Sequence, residues 1–254
     1  MRFSMNTIGL YPGKSFAEAF ASLKAAGYSA FELWSLEKTD LPALKKDMDA
    51  YSMTLTTCCP SYFVLNEESC HDRYEAGIRQ AIRDCRFLGC RELITQVGQD
   101  SGRPRDEQHA AIVRGLKRVA PLLEEAGITL TVEPLNDVKD HKGYYLTDSD
   151  EGFAIIREVG SPNVKLLYDV YHQHHMGEDV FTRVAENLDL IAHFHIAGHP
   201  DRDEKIFENF DYRPFFALLK EKNVNAYVGV ELFPKTSEAT EELLKKLAAF
   251  EDRD

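Results

Sequence analysis

Residues Val164–His175 read VKLLYDVYHQHH. A short apolar run (Val164, Leu166, Leu167) ends on the carboxylate of Asp169. His172 follows three residues later, with His174 and His175 close behind. A run this short, rich in Val and Leu and flanked by Pro162 and a polar loop, predicts a buried parallel strand. At the mouths of such strands α/β enzymes place metal ligands and acid–base groups. Taken alone, the stretch reads equally well as an acidic cap beside surface histidines, so its meaning depends on the rest of the chain.

Working outward, strand–helix alternation repeats eight times. Strands are predicted over Arg2–Ile8, Ala30–Trp34, Thr54–Cys58, Glu92–Gln96, Thr129–Glu133, Val164–Asp169, Ile191–Ile196 and Ala226–Leu232. The first helix opens at the N-cap candidate Ser15 and stops at Gly27, and Gly89 and Gly127 end later ones. No linker or low-complexity segment interrupts the series. Eight βα units in 254 residues predict one domain, residues 1–254, folded as a single (β/α)8 barrel. An open doubly wound sheet would usually carry a Gly-rich phosphate turn after its first strand; Asn6-Thr-Ile-Gly9 is not one.

Composition narrows the function. Forty-two acidic against 30 basic residues give a net charge of −12, and no Lys/Arg stripe offsets it, which argues against nucleic acid as a partner. Five cysteines without a C-x-x-C pair predict reduced thiols and a cytoplasmic location. No apolar run approaches the ~20 residues of a membrane span, so no membrane partner is expected. A homo-oligomer is compatible with the sequence, which does not specify one.

Four consecutive strands end in a metal-competent side chain: Glu133, Asp169, His195 and Glu231. The gaps of 36, 26 and 36 residues each match one βα unit. Counting back by twos puts Thr131 with Glu133, His193 with His195 and Gly229 with Glu231, while Val132, Phe194 and Val230 fall on the other face. The polar or small set suits the barrel interior and the apolar set the helix layer. Three carboxylates in one partly dry pocket would repel and raise one another's pKa values. One divalent cation removes that problem, and mostly oxygen donors with one imidazole suit Mn2+ or Mg2+, with Co2+ a further candidate. His172, in the loop after strand six, and Arg202, in the polar loop after strand seven, are expected to bind substrate. Arg202 is expected to matter little for folding. Glu32 and Asn6, at the ends of strands two and one, complete the expected substrate set, with Lys165 an alternative partner for a buried Glu32. His174, His175, His199 and the Cys58–Cys59 pair are expected to be structural.

The segments VEPLN (132–136), GYYLTDSDEG (143–152), REVGSPNVKLLYDVYH (157–172) and HFHIAGHPDR (193–202) resemble the hydroxypyruvate isomerases, members of the xylose isomerase-like barrel superfamily with the ketose 3-epimerases as close relatives. The likeness continues through DYRPFFALL and GVELFP and is only general before residue 100. It implies that Glu133, Asp169, His195 and Glu231 hold the metal, that His172 and Arg202 bind substrate oxygens, and that Glu133 and Glu231 are also the acid–base pair. Two departures stand out. His195 occupies a position that is typically Gln in hydroxypyruvate isomerases and is more like the 3-epimerases. Residues 203–210 read DEKIFENF where a Gly-rich H-E-P-G-T-G-E loop is typical.

The implied chemistry is isomerisation of a small sugar or hydroxy-keto acid through an enediolate, the proton returning to the neighbouring carbon. Return to the same carbon would make the protein a ketose 3-epimerase. Loss of water would make it a dehydratase of the 3-dehydroshikimate or inosose type. A type IV DNA-repair endonuclease needs extra histidines after strands two and three. There the chain reads FELW and TTCC.

Overall fold

The computed structural model describes residues 1–251; residues 252–254, the last three of the expected domain, lie outside the described residues. Eight parallel strands follow one another around a closed barrel: β1 Arg2–Asn6, β2 Ala30–Leu33, β3 Thr54–Cys58, β4 Glu92–Thr95, β5 Thr129–Val132, β6 Val164–Asp169, β7 Ile191–Ile196 and β8 Tyr227–Val230. Strand β8 pairs back onto β1 through Arg2–Tyr227 to Met5–Val230. The helices are α1 Thr7–Leu10, α2 Phe16–Ala25, α3 Leu41–Tyr51, α4 His71–Leu88, α5 Arg105–Ala126, α6 Ser149–Val159, α7 Val170–His175, α8 Val180–Glu186, α9 Arg213–Glu221 and α10 Ser237–Leu247. Among the described residues no helix is long and apolar enough to cross a membrane.

Local chemistry sets these boundaries. Ser15 and Glu18 form a reciprocal capping box at the start of α2, worth about 1 kcal/mol. Asp40 and Asp148 cap α3 and α6 through their carboxylates. Buried Tyr74, Ile78, Ala81, Cys85 and Leu88 recur at three- and four-residue spacing along α4, the face it lays on the barrel. Outward-facing Leu130, Val132, Leu166, Phe194, Val228 and Val230 are buried under the helices. Inside, Ser4 and Thr56 join hydroxyls at 2.5 Å across the interior.

Three local departures matter for the site. Strand β1 stops at Asn6, whose Oδ1 accepts from the Gly9 N–H and starts α1. A side chain at Gly9 would meet the Leu232 carbonyl at 2.5 Å, so this close approach requires glycine. After β6 the chain turns directly into α7, because the Asp169 carboxylate accepts from the N–H groups of Tyr171 and His172. His172 is therefore helical and not in a loop. Lys165, the alternative partner expected for Glu32, donates instead to the Asp189 carbonyl, and Glu32 faces His193 and His195.

Candidate active site

The ladder register brings the four strand ends to one level. Asp169 pairs with His195, and His195 with Gly229, two residues before Glu231. Glu133 and Glu231 lie just past their strands, yet their N–H groups still bond Thr95 and Ile196 on the neighbouring strands. One ligand-type atom from each of Glu133, Asp169, His195 and Glu231 lies within 4.8 Å of the others, and all four residues are buried. His195 Nδ1 is 2.7 Å from Glu231 Oε2, 3.6 Å from Glu133 Oε1 and 3.9 Å from Asp169 Oδ2.

The electrostatics of this group are unbalanced. Burial pushes the Asp169 carboxyl up to about 7, outweighing the nearby His195 and Arg202. Burial would also raise Glu231, but Arg202 and His195 hold it well below the usual carboxylate range. Burial would lower His195, yet Glu32 and Glu231 raise it well above an ordinary imidazole. Glu133 Oε1 and His195 Nδ1 are buried without a hydrogen-bond partner among the described residues. Buried polar atoms are nearly always satisfied, so unpartnered donor atoms facing one centre fit a site for a cation. Three carboxylates and an imidazole form a predominantly hard donor set, suited to Mn2+ or Mg2+.

Above the quartet opens a cavity of about 510 Å3. Its wall includes Trp34, Phe63, Val64, Leu135 and Phe233 on the apolar side, and Gln96, Gln99, His141, His172 and Arg202 on the polar side. His172 Nδ1 faces the Asn136 backbone N–H at 3.3 Å and the Asn136 amide nitrogen at 2.7 Å. Those donors leave the ring proton on Nε2, which makes no hydrogen bond among the described residues and lies 3.6 Å from Asp169 Oδ2. Burial, followed by the Arg202 charge, holds the His172 pKa well below its ordinary value. The ring is a neutral donor.

Arg202 lines the same cavity, with its guanidinium stacked 5.5 Å from the Tyr171 ring centre and paired to Glu231 at 3.0 Å. Glu231 also accepts from the indole N–H of Trp34. Gln96 donates to Glu133 Oε2 at 3.2 Å.

Two expected substrate contacts are placed elsewhere. Asn6 spends its side chain on the α1 cap and is buried outside the cavity wall. Glu32 lies below the quartet, its carboxylate oxygens 3.2 Å from His193 Nε2 and 3.3 Å from His195 Nε2. Burial disfavours a charged His193, but Glu92 and Glu32 on either side push its pKa up to about 9. Asn136, Gln96, His141 and His193 were not among the expected site residues. The N of VEPLN and the Q after β4 were the available signals. His174, His175 and His199 pack with Tyr171 and Phe210, off the cavity wall.

Comparison with known proteins gives a consistent picture. The xylose isomerase-like TIM barrel family profile matches residues 20–250. Hydroxypyruvate isomerase of Escherichia coli K12 is 27% identical over 246 residues, covering 93% of this chain and 95% of that protein. The 2-oxo-tetronate isomerase of Cupriavidus necator is 26% identical, covering 92% and 93% respectively. A crystal structure described as an AP endonuclease, family 2, from Brucella melitensis superposes with a TM-score of 0.92 at 23% identity, covering 99% of both chains, a likeness of fold.

Proposed function

Because the chain belongs to the xylose isomerase-like TIM barrel family, we propose that it is a divalent-metal-dependent isomerase of a small hydroxy-carbonyl compound, of the hydroxypyruvate isomerase kind. The observation that carries this reading is the buried quartet of ligand-type atoms within 4.8 Å at the floor of an open cavity, with two carboxylates that also line the cavity wall. Glu133, Asp169, His195 and Glu231 would hold the ion. Bound there, a divalent cation would polarise adjacent carbonyl and hydroxyl oxygens of the substrate and make the C–H between them more acidic.

The chain's own groups do the rest. One of Glu133 and Glu231 removes that proton, and the same or the opposing carboxylate returns it to the neighbouring carbon, interconverting aldehyde and ketone. His172 offers its Nε2–H to a substrate oxygen, a role fixed by the Asn136 donors on its other nitrogen. Trp34, Phe63 and Phe233 give the cavity an apolar side against which the enediolate would form.

A second reading, a ketose 3-epimerase, is favoured by the character of the cavity. At about 510 Å3 it falls within the ~300–1,000 Å3 of ordinary small-molecule sites and exceeds what three carbons fill. Among the described residues Arg202 is the one lysine or arginine on its wall, and it is already paired with Glu231, so none of them offers an uncommitted cation to a substrate carboxylate. The same two glutamates suit it, with the proton returned to the same carbon from the other face. For DNA, the net charge of −12 is unfavourable.

The test is a panel of hydroxypyruvate, ketohexoses, inosose and dehydroshikimate, run with EDTA-stripped protein before and after Mn2+. Turnover of hydroxypyruvate restored by Mn2+ supports the first reading, and turnover of a ketohexose alone supports the second. Full activity without metal sinks both, and water loss from inosose or dehydroshikimate would make the protein a dehydratase.

A further inference from the structure

Beneath the quartet Glu92, His193 and Glu32, none of them on the cavity wall, form a chain of alternating carboxylates and imidazoles that ends on the quartet's own His195. Glu92 Oε1 is 3.0 Å from His193 Nδ1, His193 Nε2 is 3.2 Å from Glu32 Oε2, and Glu32 Oε1 is 3.3 Å from His195 Nε2. We propose that Glu32 is a positioning residue: it takes the Nε2–H of His195, fixes that tautomer, and turns the Nδ1 lone pair toward Glu133, Asp169 and Glu231. This rests on the reading of the quartet as a divalent-cation site.

Three observations carry it. First, Glu32 Oε1 and His195 Nε2 are both buried and neither has an aligned hydrogen bond among the described residues, so each is the group available to the other. Secondly, the opposite nitrogen already faces the three carboxylates at 2.7–3.9 Å. Thirdly, the space for the contact is made by a missing side chain. A Cβ at Gly229 would come within 2.4 Å of His195 Cδ2 and 2.7 Å of both Glu32 carboxylate oxygens. Any other residue on this face of β8 would part the pair.

A carboxylate this deep needs compensation, and His193 supplies it. Its Nε2 lies 3.2 Å from Glu32 Oε2 and its Nδ1 3.0 Å from Glu92 Oε1, so the ring sits between two acids. Thr131 Oγ1, 3.5 Å from Glu92 Oε1, steadies the far end. A histidine ligand whose second nitrogen donates to a carboxylate has a fixed orientation and a more basic ligating nitrogen, and losing such a partner typically costs ~10–100-fold in metal affinity.

The experiment uses the full chain, stripped with EDTA and reloaded with Zn2+ or Mn2+ alone. Nitrogen-15 spectra of the histidine rings of the Zn2+-loaded protein, with His195→Gln for assignment, should show His195 protonated at Nε2 and bound through Nδ1. Glu32→Gln keeps the shape and removes the charge. Titrated with Mn2+ and read from the electron paramagnetic resonance of the free ion, it should bind ~10–100-fold more weakly than wild type. Glu32→Asp, which keeps the charge, should recover part of the affinity. A His195 bound through Nε2, or Glu32→Gln binding Mn2+ as tightly as wild type, would overturn the role of Glu32 while leaving the cation site standing. Wild-type protein that takes up no stoichiometric Mn2+ would instead overturn the cation site and the role with it. The wild-type tautomer decides the question even where Glu32→Gln fails to fold.

Discussion

Arg202 grips Glu231 at two points: its Nη2 lies 3.0 Å from the carboxylate Oε2, and its Nε donates to the Glu231 backbone carbonyl at 3.3 Å. The polar surroundings of Arg202 in the sequence suggested a residue for substrate alone. Its burial, with a side chain 13% exposed against 8% for Glu231, adds a structural role.

Arg202→Ala should therefore impair folding as well as turnover. Removing one partner of a buried pair costs about 3–5 kcal/mol. At ~2–4 °C per kcal/mol for a chain of this size, Tm should fall by ~10 °C, with kcat/KM reduced as well. Thermal unfolding of the variant checks this; an unchanged Tm would return Arg202 to a purely kinetic role.

The imidazole cluster below the Arg202 loop should make stability acid-sensitive. Burial, with His174 and His175 alongside, lowers the His199 pKa to about 3, whereas an unfolded histidine titrates near ~6.5. Between those values the unfolded chain binds the extra proton. His199 thus contributes stability that is complete above about pH 6.5 and is lost as pH falls through the window toward 3. His199→Gln should flatten the decline in Tm between pH 7 and 5. A variant whose Tm falls as steeply as wild type over that range would remove His199 as the cause.

Trp34 is the chain's one tryptophan, and its indole N–H donates to Glu231. It reports on the quartet directly. Mn2+ added to EDTA-stripped protein should quench Trp34 emission saturably, and Glu231→Gln should blunt the response. Calorimetric binding of Mn2+ with no change in emission would place the ion away from Glu231.

Much of this architecture was legible because it depends on alternation and punctuation. Val164–Asp169 and Ile191–Ile196 fall where the apolar runs predict, and the quartet follows from strand-end side chains one βα unit apart. What stayed hidden depends on depth and on capping. Parity places Glu32 inside the barrel, but not one layer below the mouth beside His193. That height comes from strand stagger, and β2 carries a register shift between Phe31 and Leu33. Helix α7 was missed because VYHQHH has little apolar periodicity. Asp169 starts it by capping its first N–H groups while its other oxygen faces the quartet.

The two glutamates should prove unequal. Hydrogen-bond donors on a carboxylate stabilise its charged form and weaken it as a base. Glu231 takes the Trp34 indole N–H and the Arg202 guanidinium, whereas Glu133 takes one amide N–H from Gln96 and keeps Oε1 unpartnered among the described residues. Glu133 is thus the better placed to remove the proton and Glu231 to return it. An amide has no basic oxygen at neutral pH, and general acid–base catalysis is worth ~10²–10⁴-fold, so either Gln variant should stay at least ~100-fold slow at saturating Mn2+. Hydrogen exchange separates their roles. In D2O, Glu231→Gln should still wash deuterium into the carbon beside the substrate carbonyl, because removal of the proton survives, whereas Glu133→Gln should not. The reverse pattern would exchange the roles. Recovery of full rate by Mn2+ in both variants, with no deuterium uptake by wild type, would leave the glutamates as ligands only and point to a direct hydride shift.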